Sequence, residues 1–288
     1  MRMMSIASGS SGNCIYIGSD NTHILIDAGV SRKRIVEGLH KADIDIKDIS
    51  AILVTHEHSD HISGLGVVSR KDEVPIYASA GTIDGILAQS SIGKMPEGLC
   101  HSVEADRDFK INDLTVHPFR VSHDANEPYA YSVECDGHHM GVVTDLGKYD
   151  DYVISNMKNM EALLIEANHD VRMLQVGSYP YYLKQRILGD KGHLSNESSG
   201  RLLGELLNDR LKGIMLGHLS KENNYAELAY ETVRLEIELD PVDYKSGDFD
   251  IQVADLYRFM RKILEKYNWN LELAGEMLRE YHKIRPIS

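Results

Sequence analysis

The first third of the chain alternates short apolar runs with amphipathic stretches. The apolar runs predict buried strands at residues 3–7, 14–17, 22–29, 49–54 and 74–78. Apolar positions at helical spacing predict helices at residues 31–41, 62–70 and 82–89. Ser31 is placed to cap the first of these helices. Strands that alternate with helices along the chain are typical of an α/β protein.

Strands in succession interrupt this alternation, which then returns. The successive strands are predicted at residues 109–111, 114–121, 129–134 and 139–144. Later strands are predicted at residues 160–165 and 213–216, and later helices at residues 179–188, 197–207 and 225–239. Asp240-Pro241 ends the last helix, and the amphipathic stretches beyond it, residues 253–266 and 271–281, carry no cluster of ligand-type side chains.

Metal-binding side chains follow the predicted strand at residues 49–54. Three imidazoles and a carboxylate occur within six residues, in the pattern His56-x-His58-x-Asp60-His61. In a tight loop these side chains can converge on one side, and their nitrogen and oxygen donors suit Zn²⁺, Mn²⁺ or Fe²⁺. The alternative is a polar surface loop in which histidine recurs. The position at the exit of an apolar strand favours the metal site.

Other ligand-type residues also stand at the ends of predicted strands. Asp27 ends one of them, and His123, Asp145 and His218 follow three others. Together with the first cluster they supply nitrogen donors for two ions and a carboxylate to lie between them. Such a site uses a metal-bound hydroxide as its nucleophile. The residue types therefore predict a two-metal hydrolytic centre.

Composition predicts a globular protein of the cytoplasm and bears on its substrate. Hydrophobic residues make up 42% and charged residues 26% of the 288 residues, which allows a sizeable core. No apolar run reaches about 18 residues, so no membrane span is expected. No signal pattern opens the chain, which predicts a cytoplasmic location. A net charge of −13 argues against binding long nucleic acid by electrostatics alone, although two metal ions would add local positive charge.

A loop of small residues separates the first two predicted strands. It spans residues 8–13 and includes Ser10, Ser11 and Asn13. Its backbone N–H groups can receive an anion such as a phosphate, or the loop can serve as a flexible connection. Composition alone favours the connection.

The order of the ligand candidates resembles the metallo-β-lactamase superfamily over about the first 240 residues. The resemblance rests on Asp27, His56-x-His58-x-Asp60-His61, His123, Asp145 and His218. It implies an α/β fold of four layers, αβ/βα, with two facing mixed sheets. We therefore expect a catalytic domain at residues 1–240 and a C-terminal helical extension at residues 241–288.

The same resemblance implies a role for each ligand. It assigns His56, His58 and His123 to a first metal, Asp60, His61 and His218 to a second, and Asp145 to a bridge between them. Asp27 becomes a supporting group beside the loop. The lactamases carry a cysteine where this chain has Asp145, and a carboxylate, which is harder and can hold two ions, suits phosphate esters. Antibiotic hydrolysis is therefore not expected.

A second resemblance concerns the segments around Glu166, His193 and His218. Residues 163–167, 191–195 and 215–220 resemble the C-terminal half of the tRNA 3′-processing endonucleases. That resemblance implies that Glu166 orients His193 and that His193 acts as general acid toward the leaving oxygen. We separately expect Asp60 to act in catalysis by positioning the second ion and the nucleophile. The alternative for His193 is a histidine in a loop that caps a helix.

The most extensive resemblance is to the YycJ/WalJ-like branch of the superfamily, whose members are regarded as 5′-to-3′ exonucleases on DNA. It rests on residues 8–14, 166–170, 192–196 and 218–224. It implies two divalent ions, zinc or manganese with iron as an alternative, and a nucleic acid substrate. Residues that we expect to contact this substrate are Ser10, Ser11, Asn13, Asn168 and His169. The rivals are a thioesterase or cyclic-phosphodiester hydrolase, and a non-catalytic regulatory protein with a structural metal.

Overall fold

A computed structural model describes residues 1–240 and 244–254 of the chain. The first sheet has six strands in sequential order, of which the first three are antiparallel and the rest parallel. Its strands are β1 Arg2–Ala7, β2 Cys14–Gly18, β3 His23–Ile26, β4 Ile49–Leu53, β5 Ile76–Ala78 and β6 Cys100–Ser102.

The second sheet has seven strands, also in sequential order. Strands β7 to β10 pair antiparallel, and β10 to β13 pair parallel. They are β7 Phe109–Ile111, β8 Leu114–Arg120, β9 Tyr129–Cys135, β10 His138–Val143, β11 Ala162–Glu166, β12 Gly213–Gly217 and β13 Asp250–Val253.

Nine α-helices are found in the part of the chain that the structure describes. They are α1 Arg32–Leu39, α2 Ser59–Ile62, α3 Leu65–Asp72, α4 Ala80–Ala88, α5 Asp151–Met157, α6 Val171–Val176, α7 Tyr181–Leu188, α8 Asn196–Leu206 and α9 Ala226–Leu239. Ser31 caps α1 as predicted, because its side chain accepts from the backbone N–H of Arg34. No helix among these combines the length and apolar character that crossing a membrane requires.

Three hydrophobic cores show how the layers stack. Alternating side chains of β2 divide between two of them: Tyr16 packs with helices α1, α3 and α4, whereas Ile15 and Ile17 face the second sheet. In β11, Leu164 likewise faces the first sheet, and Leu163 packs with α5, α8 and α9. Helices, sheet, sheet and helices therefore follow one another. The predicted four-layer αβ/βα fold with two facing mixed sheets is confirmed.

Local structure differs from the predicted pattern near the histidine cluster. The predicted helix at residues 62–70 begins only at Leu65, as α3, and the separate turn α2 precedes it with Gly64 between them. A Cβ atom at Gly64 would lie 2.0 Å from the carbonyl oxygen of Val30, so this backbone contact requires glycine. The pattern also gave no indication of β6, α5 and α6, whose three to seven residues are too few for a clear period.

The second sheet extends beyond the predicted domain boundary at residue 240. Strand β13 pairs parallel with β12, for example Ile251 beside Ile214, so residues 250–253 complete the sheet edge. The predicted helical stretches at residues 253–266 and 271–281 lie almost entirely outside the described residues. The division into residues 1–240 and a helical extension at residues 241–288 stays a prediction.

Candidate metal centre

The predicted ligands collect where strands of both sheets end. Asp27 follows β3, His56 follows β4, and Asp145 and His218 follow β10 and β12. Three of these four residues have positive φ angles: 63° at Asp27, 56° at Asp145 and 55° at His218. This left-handed conformation is uncommon outside glycine, and it turns the chain sharply as each strand ends.

All seven predicted ligands fall into groups whose donor atoms lie within 4.8 Å of one another. The groups are His56, His58 and His123; Asp60, His61 and His218; His56, His61 and Asp145; and Asp145, Glu166, His193 and His218. Asp145 is central, because its carboxylate lies 3.1 Å from His61 Nε2, 3.5 Å from His218 Nε2 and 3.7 Å from His123 Nε2. Residues that are up to 162 positions apart in sequence therefore share one cluster.

A single helical turn, α2, presents Asp60 and His61. The sequence predicted a loop here, but the N–H of His61 donates to the carbonyl of His58 and closes the turn at 2.9 Å. The carbonyl oxygen of Asp60 accepts from the N–H of Asn13 at 2.8 Å. The same oxygen lies so close to Gly29 that a Cβ atom there would be only 1.6 Å away from it. The loop at residues 8–13 therefore supports the ligand turn.

Three imidazoles are held through Nδ1, which leaves Nε2 for a metal. The Nδ1 atom of His61 lies 2.7 Å from the Asp27 carboxylate, and that of His218 lies 3.0 Å from Glu166. His123 Nδ1 lies 3.0 Å from the carbonyl oxygen of Gly192. Partners of this kind select the tautomer and fix the ring orientation of metal-ligating histidines.

The donor set fits a divalent metal. His56 Nε2 is buried and has no hydrogen-bond partner within residues 1–240 and 244–254, although an unpaired buried nitrogen is unfavourable. Burial lowers the pKa of His56 and of His123, so both imidazoles stay neutral and keep a lone pair for a ligand bond. Nitrogen donors with carboxylates suit Zn²⁺ and Mn²⁺.

The buried Glu166 and the partly buried His193 form a pair beside this cluster. His193 Nδ1 lies 2.7 Å from Glu166 Oε1 and 3.6 Å from Asp145 Oδ1. Burial opposes a charge on His193, but the neighbouring Glu166 carboxylate outweighs it and raises the pKa of the imidazole. The other carboxylate oxygen of Glu166 accepts from the backbone N–H groups of Leu146 at 2.8 Å and Leu194 at 3.3 Å. Every Glu166 acceptor therefore faces a donor.

A cavity of about 230 Å³ opens onto the cluster. Its wall includes His58, Asp60, Asp145, His193 and His218, together with Ser10 and Asn168 of the predicted substrate residues. The other three substrate candidates lie elsewhere: Ser11 is exposed, Asn13 is buried with its amide 3.1 Å from His61 Nε2, and His169 is buried beside Asn168.

Comparison with known proteins agrees with this geometry. The model of a family described as the Beta-lactamase superfamily domain matches residues 22–214. The chain belongs to the metallo-β-lactamase superfamily. It is 41% identical to the exodeoxyribonuclease YycJ of Bacillus anthracis, over 81% of this chain and 88% of that protein. It is 42% identical to the exodeoxyribonuclease WalJ of Streptococcus pneumoniae serotype 2, over 79% of this chain and 85% of that protein.

A solved structure shows the same fold at low sequence identity. The metallo-β-lactamase fold protein YhfI of Bacillus subtilis is 17% identical, with a TM-score of 0.62 over 88% of this chain and 95% of that chain. The predicted membership of the superfamily and of its YycJ/WalJ-like branch is confirmed. The prediction that the chain is a hydrolase of this superfamily is confirmed as well.

Two residues without a predicted role, Thr55 and Arg186, and one from the predicted loop at residues 8–13, Ser8, contact the ligand candidates or line the cavity. Thr55 Oγ1 lies within hydrogen-bond distance of Asp27, His56 and His61. Ser8 Oγ accepts from the backbone N–H of His218 at 2.8 Å. Arg186 lines the cavity from α7. Thr55 adjoins His56 in sequence, which was a usable signal, whereas Ser8 and Arg186 become neighbours of the ligands only through the fold.

Proposed function

We propose that this chain is a two-metal phosphodiesterase that degrades DNA from the 5′ end. The observation that carries the proposal is the His193–Glu166 pair, whose histidine lines the same cavity as the ligand cluster. Breaking a phosphodiester leaves an alkoxide that requires a proton, whereas a thiolate leaving group does not. Similarity to two proteins named exodeoxyribonucleases supports DNA as the substrate.

The ligand groups suggest how two ions would be held. His56, His58 and His123 would hold one ion, and Asp60, His61 and His218 would hold the other, with Asp145 between them. Zinc and manganese both suit these donors, and iron is an alternative. When bound, the ions supply Lewis-acid stabilisation of the phosphoryl oxygens and a nucleophile derived from water at neutral pH.

The protein's own residues orient the substrate and move the proton. His193 would donate a proton to the leaving oxygen, and Glu166 would stabilise the imidazolium form before transfer. Asp60 reaches the cavity with its side chain 24% exposed and lies 3.4 Å from His218 Nε2, where it would help to position the ion and the attacking water. Ser10 and Asn168 line the wall on which the scissile phosphate would rest.

The test is degradation of duplex DNA labelled at one end, with and without a 5′ phosphate. Metal-stripped protein is reloaded with Mn²⁺ or Zn²⁺ and compared with the variants Asp60→Ala and His193→Ala. We expect stepwise release of nucleotides from the 5′ end, reduced by about 10²–10⁴-fold in His193→Ala because a general acid contributes that much.

A matched control separates the relay from a general loss of structure. His138 also pairs with a glutamate, 3.0 Å from Glu161, but at the opposite end of β10 from Asp145. We expect His138→Ala to retain activity. Absence of cleavage by fully loaded protein would contradict the DNA assignment and redirect the search to cyclic phosphodiesters and thioesters. One ion per chain that survives Asp145→Ala would instead favour a structural metal in a regulatory protein.

A further inference from the structure

Helix α7 carries apolar side chains that the fold leaves in solvent. None of its residues is buried, and the segment at residues 176–188 contains four exposed large apolar side chains. These are Val176, Tyr181, Tyr182 and Leu188, of which Tyr181 is 77% and Tyr182 is 74% exposed. Single exposed apolar residues are ordinary, but a group of them on one short segment marks a binding surface.

This surface is continuous with the candidate catalytic cavity. Tyr179, Leu183, Arg186 and Ile187 line the same cavity as His193. Tyr182 precedes Arg186 by four residues, so the two side chains are neighbours on the helix surface. Tyr181 points away, about 160° around the helix axis from Leu183, because each residue advances about 100°. Helix geometry therefore places Tyr182 beside Arg186, next to the cavity wall, and Tyr181 on the far side of the helix.

The charge of this segment favours a polyanion. Residues 171–189 lie between Asp170 and Asp190 and contain no Asp or Glu, but they include Arg172, Lys184 and Arg186, in a chain with a net charge of −13. Lys184 donates to the backbone carbonyls of Gln175 at 2.8 Å and Gly177 at 2.7 Å, and Arg186 pairs with Asp124. Polar anchors rather than buried side chains thus hold α7 in place, and its aromatic rings are left available to a ligand.

We propose that Tyr182 and Tyr179 form a stacking platform for the bases of an unpaired nucleic acid strand at the mouth of the cavity. The inference rests on the proposed function and adds to it the form of the substrate that is held. Base faces are accessible only when a strand is unpaired, and tyrosine rings stack on any base. The ammonium group of Lys184 on the same helix, which contacts only backbone carbonyls, adds positive charge that attracts the phosphates, while the rings bind the bases.

The experiment compares two oligonucleotides of equal length and charge. One is oligothymidylate and the other is its abasic counterpart, both with phosphorothioate linkages that resist cleavage. Binding to metal-loaded protein is followed by fluorescence anisotropy. We expect Tyr182→Ala to weaken binding of oligothymidylate by about 5- to 150-fold and to leave binding of the abasic strand unchanged. Tyr182→Phe should restore the affinity, because it keeps the ring.

Tyr181→Ala is the matched control, since it removes the same side chain at similar exposure from the other side of α7. It should leave both affinities unchanged. Equal affinity of wild-type protein for the two strands would overturn the proposal. Equal losses of affinity in Tyr181→Ala and Tyr182→Ala would also overturn it. The same holds if Tyr182→Ala changes the oligomeric state or the unfolding midpoint but not the affinity. Failure of the proposed function is distinguishable from failure of the stacking platform. In the first case wild-type protein would release no nucleotides from natural DNA, whatever the binding result.

Discussion

Replacing Glu166 by glutamine tests how one buried carboxylate supports two parts of the site. Glu166 is fully buried, and one of its oxygens lies 2.7 Å from His193 Nδ1 and 3.0 Å from His218 Nδ1. Its other oxygen accepts from two backbone N–H groups, those of Leu146 and Leu194. Glutamine has nearly the same shape but brings an NH₂ group, which can only donate.

The expected loss follows from this geometry. Turned one way, the amide nitrogen faces the two backbone N–H donors; turned the other way, it faces two imidazole nitrogens that donate when His218 binds a metal through Nε2 and His193 is protonated. In these states two of the four hydrogen bonds are lost. Hydrogen bonds to a charged group contribute about 1.5–3 kcal/mol each. Removing one partner of a buried ion pair typically costs about 3–5 kcal/mol. We therefore expect Glu166→Gln to lower the free energy of unfolding by about 3–5 kcal/mol. The substitution should also weaken metal binding by about 10- to 100-fold, because His218 loses the partner that orients its ring.

Urea unfolding followed by circular dichroism measures the stability, and competition with a chelating dye measures the metal affinity. Glu161→Gln is the control, because Glu161 contacts three basic side chains, His138, Arg210 and Lys212, at the protein surface. Solvent screens that cluster, so we expect an effect of about 1 kcal/mol or less. Equal unfolding midpoints for the two variants, with metal affinity retained in Glu166→Gln, would refute the account of Glu166.

Three further predictions address the metal centre and the fold. Asp27→Asn should weaken metal binding by about 10- to 100-fold, because His61 loses the carboxylate that fixes its tautomer. Dye competition measures the affinity, and an unchanged value would show that Thr55 alone suffices to orient His61. Removal of the metal by a chelator should lower the thermal unfolding midpoint, since a ligand at about 100 times its dissociation constant stabilises the folded state by about 2.7 kcal/mol. Calorimetry measures the midpoint, which must recover when Mn²⁺ or Zn²⁺ is added back. Asp150→Ala should destabilise the protein by about 1 kcal/mol through the lost cap of α5, whereas Asp150→Asn, which caps equally well, should not; equal urea midpoints for the two variants would contradict the role of the cap.

The histidine cluster shows how far local sequence reaches. His56, His58, Asp60 and His61 lie within six residues after a mostly apolar strand, so chain connectivity alone keeps their side chains close together. The strands were also predictable from local sequence. A short apolar run, or apolar residues at every second position, is visible within the segment itself and does not depend on distant residues. Local sequence therefore determined the α/β class and the candidate ligand types, whereas the four-layer arrangement was implied by the family resemblance.

Contacts between distant segments were decided only by the tertiary structure. Glu166 was expected to orient His193, but its second contact, to His218 across 52 positions, depends on β11 and β12 lying side by side. The exposed rings of α7 show the same limit, because a helical pattern tells which residues share a face but not whether another element covers that face. Periodicity and composition report the local preference of each segment, whereas the partner of a side chain is set by packing, which no single segment contains.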